Sequence, residues 1–387
     1  MSNLFDVYPI YNITPVKALG AKVWDDKGQE YLDFYGGHGV ISAGHSHPDY
    51  VKAVSDQVGK IGFYSNSIYN PIQEALATKL TQQSGYPDYT LFLCNSGAEA
   101  NENALKLASF HTQKKKVIAF KKAFHGRTSA TVAATDNPSI VAPINAGHEV
   151  VFLPLNDTEA FDIELAKGDT CAVIIEGIQG VGGLDEATTA FFQHIEKACK
   201  ATNVVLILDE IQSGYGRSGK FFAHQHHGIT PDVISLAKGM GNGFPIGGIL
   251  ISPKFKASHG LLGTTFGGNH LASAAALSVL EIIENEDLMT NVNEVSTYFR
   301  ELAGQIPQVK NIKGRGLMLG LEFDFEVGEL RKKLIYDEHI FTGNASQKNL
   351  LRILPPLSIT KTDVDVFFAG LKKALEVVSE DTVPARS

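Results

Sequence analysis

Between Leu91 and Leu250 short apolar runs recur along the chain, and each is followed by a stretch whose apolar residues fall three and four positions apart. The runs LFLC, KVIAF, EVVFLPL, CAVIIE, VVLILDE and DVISLA are continuous and rich in β-branched residues, which is the pattern of strands buried on both faces. Alternation of such strands with helices predicts an α/β fold built on a mostly parallel, doubly wound sheet. Upstream, the segment from Ala21 to Phe34 (AKVWDDKGQEYLDF) turns at Asp26-Lys27-Gly28 and predicts a hairpin. Pro71 to Gln83 predicts a helix with its proline in the first turn. Leu271 to Asn285 predicts a long helix, and after Asn311 the pattern becomes that of a separate, smaller α+β layer. The expected division is a large domain over 45–274 and a smaller one formed by 1–44 with 275–387, because the hairpin finds no partner within the large domain.

Open α/β sheets bind ligands at the carboxyl ends of their strands. The run from Val204 to Leu208 ends in Asp209, and the run from Val233 to Ala237 ends in Lys238, so one crevice can receive both groups. An amine beside a carboxylate suits pyridoxal phosphate: the amine bonds the aldehyde, and the carboxylate keeps the ring nitrogen protonated so that the ring accepts electrons. Strand-end charges that merely cap a loop and face solvent account equally well for this pair taken alone.

Other segments add to the crevice or compete with it. Ser96, Gly97 and Ala98 follow the strand LFLC and open a helix, where backbone N–H groups and the positive helix end suit a phosphate. A capping box, with Ser96 as N-cap and Glu99 reaching back, explains the same residues without a ligand. Phe124-His125-Gly126-Arg127 offers a ring to stack on a planar cofactor and a guanidinium to fork onto a carboxylate, or simply a core phenylalanine and a surface arginine. The loop Gly263 to Asn269 (GTTFGGN) has hydroxyls and glycines suited to phosphate contacts. Gly214 to Lys220 satisfies GxGxxG and most of a P-loop. Phe221 stands where the P-loop needs Ser or Thr, however, and four residues separate the first glycine from the strand. His45/His47 and His224/His226/His227 lack a carboxylate or cysteine placed to complete a zinc set, so no metal is expected.

Composition narrows the class. The 387 residues carry a formal net charge of −8, which repels nucleic acid and anionic membrane. No stretch of about 18 apolar residues occurs, and the first twenty residues do not read as a secretory leader, so the expected location is the cytoplasm. Cys94, Cys171 and Cys199 are unclustered, as reduced structural thiols would be.

Taken in order, VWDDKGQEYLDF, GHSHP, NSGAEANENALKLA, FHGRT, LDEIQSGYGRSG, AKGMGNGFPIGG, GTTFGGN and LRILPPLSIT resemble the class III aminotransferases of pyridoxal-phosphate fold type I, specifically the acetylornithine and succinylornithine aminotransferases. That resemblance, nearly end to end, implies a homodimer with shared active sites. Lys238 would bind the cofactor and shuttle the substrate proton, Asp209 would pair the pyridine nitrogen, and Gln212 the ring hydroxyl. Ser96, Gly97 and Ala98 would hold the phosphate, joined by Thr265 from the other subunit, while Phe124 would stack on the ring. Arg127 would take the substrate's distal carboxylate and Arg352 the α-carboxylate of glutamate or 2-oxoglutarate. The implied reaction moves the side-chain amine of an acylated ornithine to 2-oxoglutarate, giving a semialdehyde and glutamate in arginine biosynthesis; ornithine, 4-aminobutyrate and succinyldiaminopimelate are the neighbouring donors.

The chain departs from the family at two places. The family reads E-P-[IV]-Q-G-E-G-G where this chain has EGIQGVGG, so that Val181 replaces the glutamate that masks the C-terminal arginine in relatives. His38 stands where relatives carry an apolar residue or tyrosine, near the substrate's distal end. The first departure implies that Arg352 stays exposed, and the two together imply that N-succinylornithine is preferred over N-acetylornithine.

Overall fold

The computed structural model describes residues 3–381, with side chains described through residue 377; the outermost ends of the smaller domain expected from the sequence lie outside the described residues. Strands β1 (Pro15–Leu19), β2 (Lys22–Asp25) and β3 (Glu30–Asp33) open the chain. The β2–β3 hairpin turns where the sequence predicts, and Asp25 Oδ1 fixes the turn by accepting the amides of Lys27 (3.0 Å) and Gln29 (2.8 Å). β1 adds antiparallel to β2. It is short and largely exposed, which is why no apolar period announces it.

The central sheet comprises β4 (Thr90–Cys94), β5 (Lys116–Phe120), β6 (Val150–Leu153), β7 (Thr170–Glu176), β8 (Val205–Asp209), β9 (Val233–Leu236) and β10 (Gly247–Ile251), in the order β4-β10-β9-β8-β7-β5-β6. β9, β8, β7, β5 and β6 are parallel, while β10 runs antiparallel to both of its neighbours. No apolar period announces β10, whose run is diluted by Gly247 and Gly248.

Within the parallel strands, alternate residues serve opposite layers. Val117, Ala119, Ala172, Ile174, Val205 and Ile207 pack under the helix Gly97–Thr112, whose Ala100, Ala104 and Ala108 let it lie close to the sheet. Ile118, Phe120, Val173, Ile175, Leu206 and Leu208 pack on the other face against the helix Thr189–Thr202 through Phe191, Phe192 and Ile195. Burying each of those phenylalanines contributes about 1.5–3 kcal/mol. Two packed faces explain why these strands read as unbroken apolar runs rather than as alternation.

The helix His270–Asn285 leads into β11 (Asn311–Arg315), β12 (Met318–Glu322), β13 (Ile340–Phe341), β14 (Gly343–Asn344) and β15 (Leu350–Ile353). β11, β12, β15 and β14 form one antiparallel sheet, whereas β13 pairs in parallel with β3 and joins the N-terminal hairpin to the C-terminal part of the chain. On β15, Arg352 lies opposite Gly320 of β12 and Gly343 of β14. Among the described residues no helix is long and apolar enough to cross a membrane.

Candidate active site

β7, β8 and β9 deliver Glu176, Asp209 and Lys238 to one end of the sheet, where they line a cavity of about 270 Å³. Gly97, Ala98, Phe124, Arg127, Val181 and Gln212 line the same cavity. Lys238 sits just beyond β9 with φ of 43°, a backbone region that side chains other than glycine, asparagine and aspartate seldom adopt and that recurs at functional positions. Burial pulls its ammonium below the ordinary lysine range and outweighs the nearby charges of Asp209 and Glu176, which act in the opposite direction. More of the amine is therefore available as the neutral nucleophile.

Asp209 is 5% exposed. Its Oδ2 accepts from Asn101 Nδ2 (2.8 Å) and from His125 Nδ1 (2.7 Å), and its Oδ1 accepts from the Ile211 amide (3.1 Å). These donors fix the direction of the carboxylate. Glu176, its cross-strand neighbour, accepts the amides of Phe124 (3.0 Å) and Gly180 (2.8 Å). Burial, reinforced by Asp209, pushes the Glu176 carboxyl up to about 7. The sequence reading gave Asn101, His125 and Glu176 no role. Glu176 ends an apolar run as Asp209 does, and Asn101 follows Gly97 by one helical turn; those were the available signals.

At the helix Gly97–Thr112, Ser96 is the N-cap and accepts the Glu99 amide (3.2 Å). The capping box is not closed as expected: Glu99 Oε2 accepts from the amide and side chain of Asn95 (both 2.9 Å), one residue before the cap. Gly97 and Ala98 present amides that donate to no acceptor among the described residues, which is the donor set a phosphate needs.

Arg352 corrects one expectation. Loss of the family glutamate at Val181 does not leave this arginine exposed; it is 3% exposed. Nη1 donates to the Gly180 carbonyl (2.8 Å) and, more weakly, to Gln212 Oε1 (3.4 Å), and Nη2 donates to the Tyr35 hydroxyl (3.3 Å). All three partners are neutral, so the charge is covered without being compensated. A Cβ at Gly180 would meet Gln212 Oε1, so the glycine leaves the Gln212 amide its place beside Arg352. The His38 ring meets the Tyr35 hydroxyl, beside Arg352, while its carbonyl accepts from Gln212 Nε2 (2.8 Å). Arg127 is exposed at the cavity wall. Thr265 is exposed and does not line the cavity of its own chain.

The competing readings find their groups already engaged. In the Gly214–Lys220 loop the amides of Gly216, Arg217 and Gly219 bond within the loop or to Phe221, and Lys220 Nζ donates to the Gln225 carbonyl (3.0 Å). His45, His47, His224 and His227 each pair with a different carboxylate, respectively Asp33, Glu286, Glu210 and Glu186.

The family model for class-III aminotransferases matches residues 6–375. The chain belongs to the class-III aminotransferases. The acetylornithine aminotransferase of Bacillus subtilis (strain 168) is 40% identical over 97% of this chain and 98% of its own length. That of Aquifex aeolicus (strain VF5) is 39% identical over 97% of this chain and 100% of its own. The ornithine aminotransferase of Toxoplasma gondii ME49 superposes with a TM-score of 0.91 at 27% identity, covering 98% of this chain and 94% of that one. A further Toxoplasma gondii ornithine aminotransferase structure, with a TM-score of 0.88 at 28% identity over 97% of this chain and 93% of that one, has pyridoxal phosphate in partial occupancy at its active site.

This class-III aminotransferase is a pyridoxal-phosphate enzyme, and its own residues fit the cofactor. A nucleophilic lysine, a buried hydrogen-bonded carboxylate and two unspent helix amides converge on one cavity of suitable size.

Proposed function

We propose that this aminotransferase takes the side-chain amine of an N-acylated ornithine and passes it to 2-oxoglutarate, with N-succinylornithine preferred over N-acetylornithine as donor. The observation that carries the preference is the charge at Arg352, which touches no carboxylate among the described residues. Arg127, at the cavity wall, likewise has no carboxylate partner there. Two such cations suit a donor with two carboxylates, the α-carboxylate and that of a succinyl group. The acetylornithine aminotransferases among the relatives support the ornithine skeleton.

Bound pyridoxal phosphate supplies the electron-accepting ring and the aldehyde carbon through which the amine is exchanged. In this reading Lys238 Nζ holds that carbon and carries the proton off the substrate carbon bearing the amine. Asp209 pairs the ring nitrogen, Gln212 faces the ring hydroxyl, and Phe124 stacks on the ring. Ser96 and the amides of Gly97 and Ala98 hold the phosphate, joined by Thr265 from a second copy of the chain. That last assignment accounts for an exposed threonine that does not line the cavity of its own chain and makes the working unit a homodimer. Arg127 and Arg352 orient the two ends of the substrate.

The test is kcat/KM for both acylated donors with 2-oxoglutarate. One additional charge-assisted hydrogen bond contributes about 1.5–3 kcal/mol, so N-succinylornithine is expected to be favoured roughly tenfold to a hundredfold. Equal efficiencies would remove the succinyl preference, and free ornithine or 4-aminobutyrate outperforming both would replace the donor class.

A further inference from the structure

Arg352 owes its placement to a slot that the family glutamate plays no part in. Gly343 lies opposite it on β14, and a Cβ at that position would run into Cε2 and Cδ2 of the Tyr35 ring. The glycine thus opens the space in which the Tyr35 ring lies, with its centroid 5.8 Å from the guanidinium carbon. At that range the ring face attracts the cation without neutralising it. Tyr35 is itself anchored: Asp33 Oδ1 accepts the amides of Tyr35 (2.9 Å) and Gly36 (2.8 Å).

The hydroxyl of Tyr35 meets both Arg352 Nη2 (3.3 Å) and His38 Nδ1. Arginine can only donate, so the phenol oxygen accepts from it, and the phenol hydrogen is free to go to the imidazole nitrogen when His38 carries its proton on Nε2. His38 is held in reach by a backbone at φ of 69°, within the turn Gly36 to Gly39, and its carbonyl receives Gln212 Nε2 (2.8 Å). Tyr35, His38 and Gln212 therefore surround the guanidinium with dipoles alone. Arg352 Nε is buried and has no partner, so donor capacity remains unspent on a side chain flanked by Gly180 and Gln212 of the cavity wall.

Resting on the reading above that Arg352 receives a substrate carboxylate, we infer that Tyr35 is the positioning residue for Arg352, with His38 orienting its hydroxyl and Gly343 providing its space. This neutral clamp holds the guanidinium still in both halves of the reaction while leaving its full charge to the substrate. A carboxylate clamp would have to let go each time a dicarboxylate entered; this one does not.

The test uses the holoenzyme, steady-state kinetics with 2-oxoglutarate, and calorimetric titration with glutarate, a dicarboxylate that lacks the reacting carbonyl. Tyr35→Phe removes the hydroxyl and keeps the ring. It is expected to weaken glutarate binding by about tenfold and to raise KM for 2-oxoglutarate by the same factor, the loss falling on KM more than on kcat. Gly343→Ala, which displaces the ring instead of trimming it, is expected to reproduce that split. Arg352→Met is the control. If Arg352→Met weakens glutarate and Tyr35→Phe does not, the clamp is overturned while the carboxylate site stands. If Arg352→Met leaves glutarate binding unchanged, the carboxylate site itself is wrong and the clamp falls with it. A Tyr35→Phe effect confined to kcat or to thermal stability would also overturn the clamp, since it would mark a structural role.

Discussion

Replacing Asp209 with asparagine changes one atom of the side chain and should cost the enzyme most of its turnover. Oδ2 accepts two hydrogen bonds, from Asn101 Nδ2 at 2.8 Å and His125 Nδ1 at 2.7 Å, in a residue 5% exposed. If the new amide nitrogen takes that place, it points hydrogens at two donors. If it is flipped, it faces the Ile211 amide, which Oδ1 now receives at 3.1 Å. His125 could become an acceptor by moving its hydrogen to Nε2, but that atom is buried without a partner and would become an orphaned donor. Each unsatisfied buried group costs about 1–3 kcal/mol, so a loss of stability of that order is expected. Turnover suffers separately. A neutral amide forfeits the charge-assisted bond to a protonated ring nitrogen, about 1.5–3 kcal/mol, which is roughly tenfold to a hundredfold in rate if the whole of it is expressed in the transition state. The assay is kcat with N-succinylornithine and 2-oxoglutarate, run beside the melting temperature and the visible absorbance that reports bound cofactor. A variant that retains the absorbance and turns over at near wild-type rate would refute the role of Asp209.

Two further outcomes follow from the same geometry. Val181→Glu places a carboxylate next to the residue whose carbonyl holds Arg352 at 2.8 Å; it should compensate that charge, raise KM for 2-oxoglutarate roughly tenfold to a hundredfold and erase the succinyl preference. An unchanged KM together with an unchanged donor ratio would show that Arg352 is not the anion site. For Glu176, folding raises the carboxyl from 4.5 to about 7, so between those values the native state keeps a proton that the unfolded chain has lost. Stability from this group is therefore full below about pH 4.5 and declines as pH rises through 7, by about 3 kcal/mol. Measured on cofactor-free protein, the stability gap between wild type and Glu176→Gln should fall by that amount from pH 4 to pH 8; a gap independent of pH would rule this out.

Much of the site was legible because strand-end chemistry is local. Asp209 and Lys238 each terminate an apolar run, and a parallel sheet brings consecutive strand ends together, so two separate positions in the sequence give one place in space. The large helix-covered strands were visible for the same reason: burial on both faces leaves an unbroken apolar signature. β1, β10 and β13 were not visible, since a strand that is exposed, glycine-diluted or two residues long carries no period of its own. What surrounds Arg352 was hidden for a different reason. Tyr35 with His38, Gly180 and Gly343 come from three distant segments and meet only in the folded chain, so the missing glutamate at Val181 suggested an open arginine where the protein has a covered one. The closure of the helix at Glu99 around Asn95, in place of Ser96, is a one-residue shift that spacing alone could not resolve.

The antiparallel strand β10 also sets an order of assembly. Among the described residues β4, which carries the Ser96–Ala98 turn, pairs in the sheet with β10 alone, so its strand pairing depends on residues 247–251. A chain emerging from the ribosome exposes Asp209 and then Lys238 before β10 exists to bring the turn beside them. Such late pairing between distant segments is slow to form. The helix Gly97–Thr112 can lay its alanine face on β5, β7 and β8 before β10 is made, but β4 keeps an unpaired edge until then, and that edge is what leaves the interval open to misassembly.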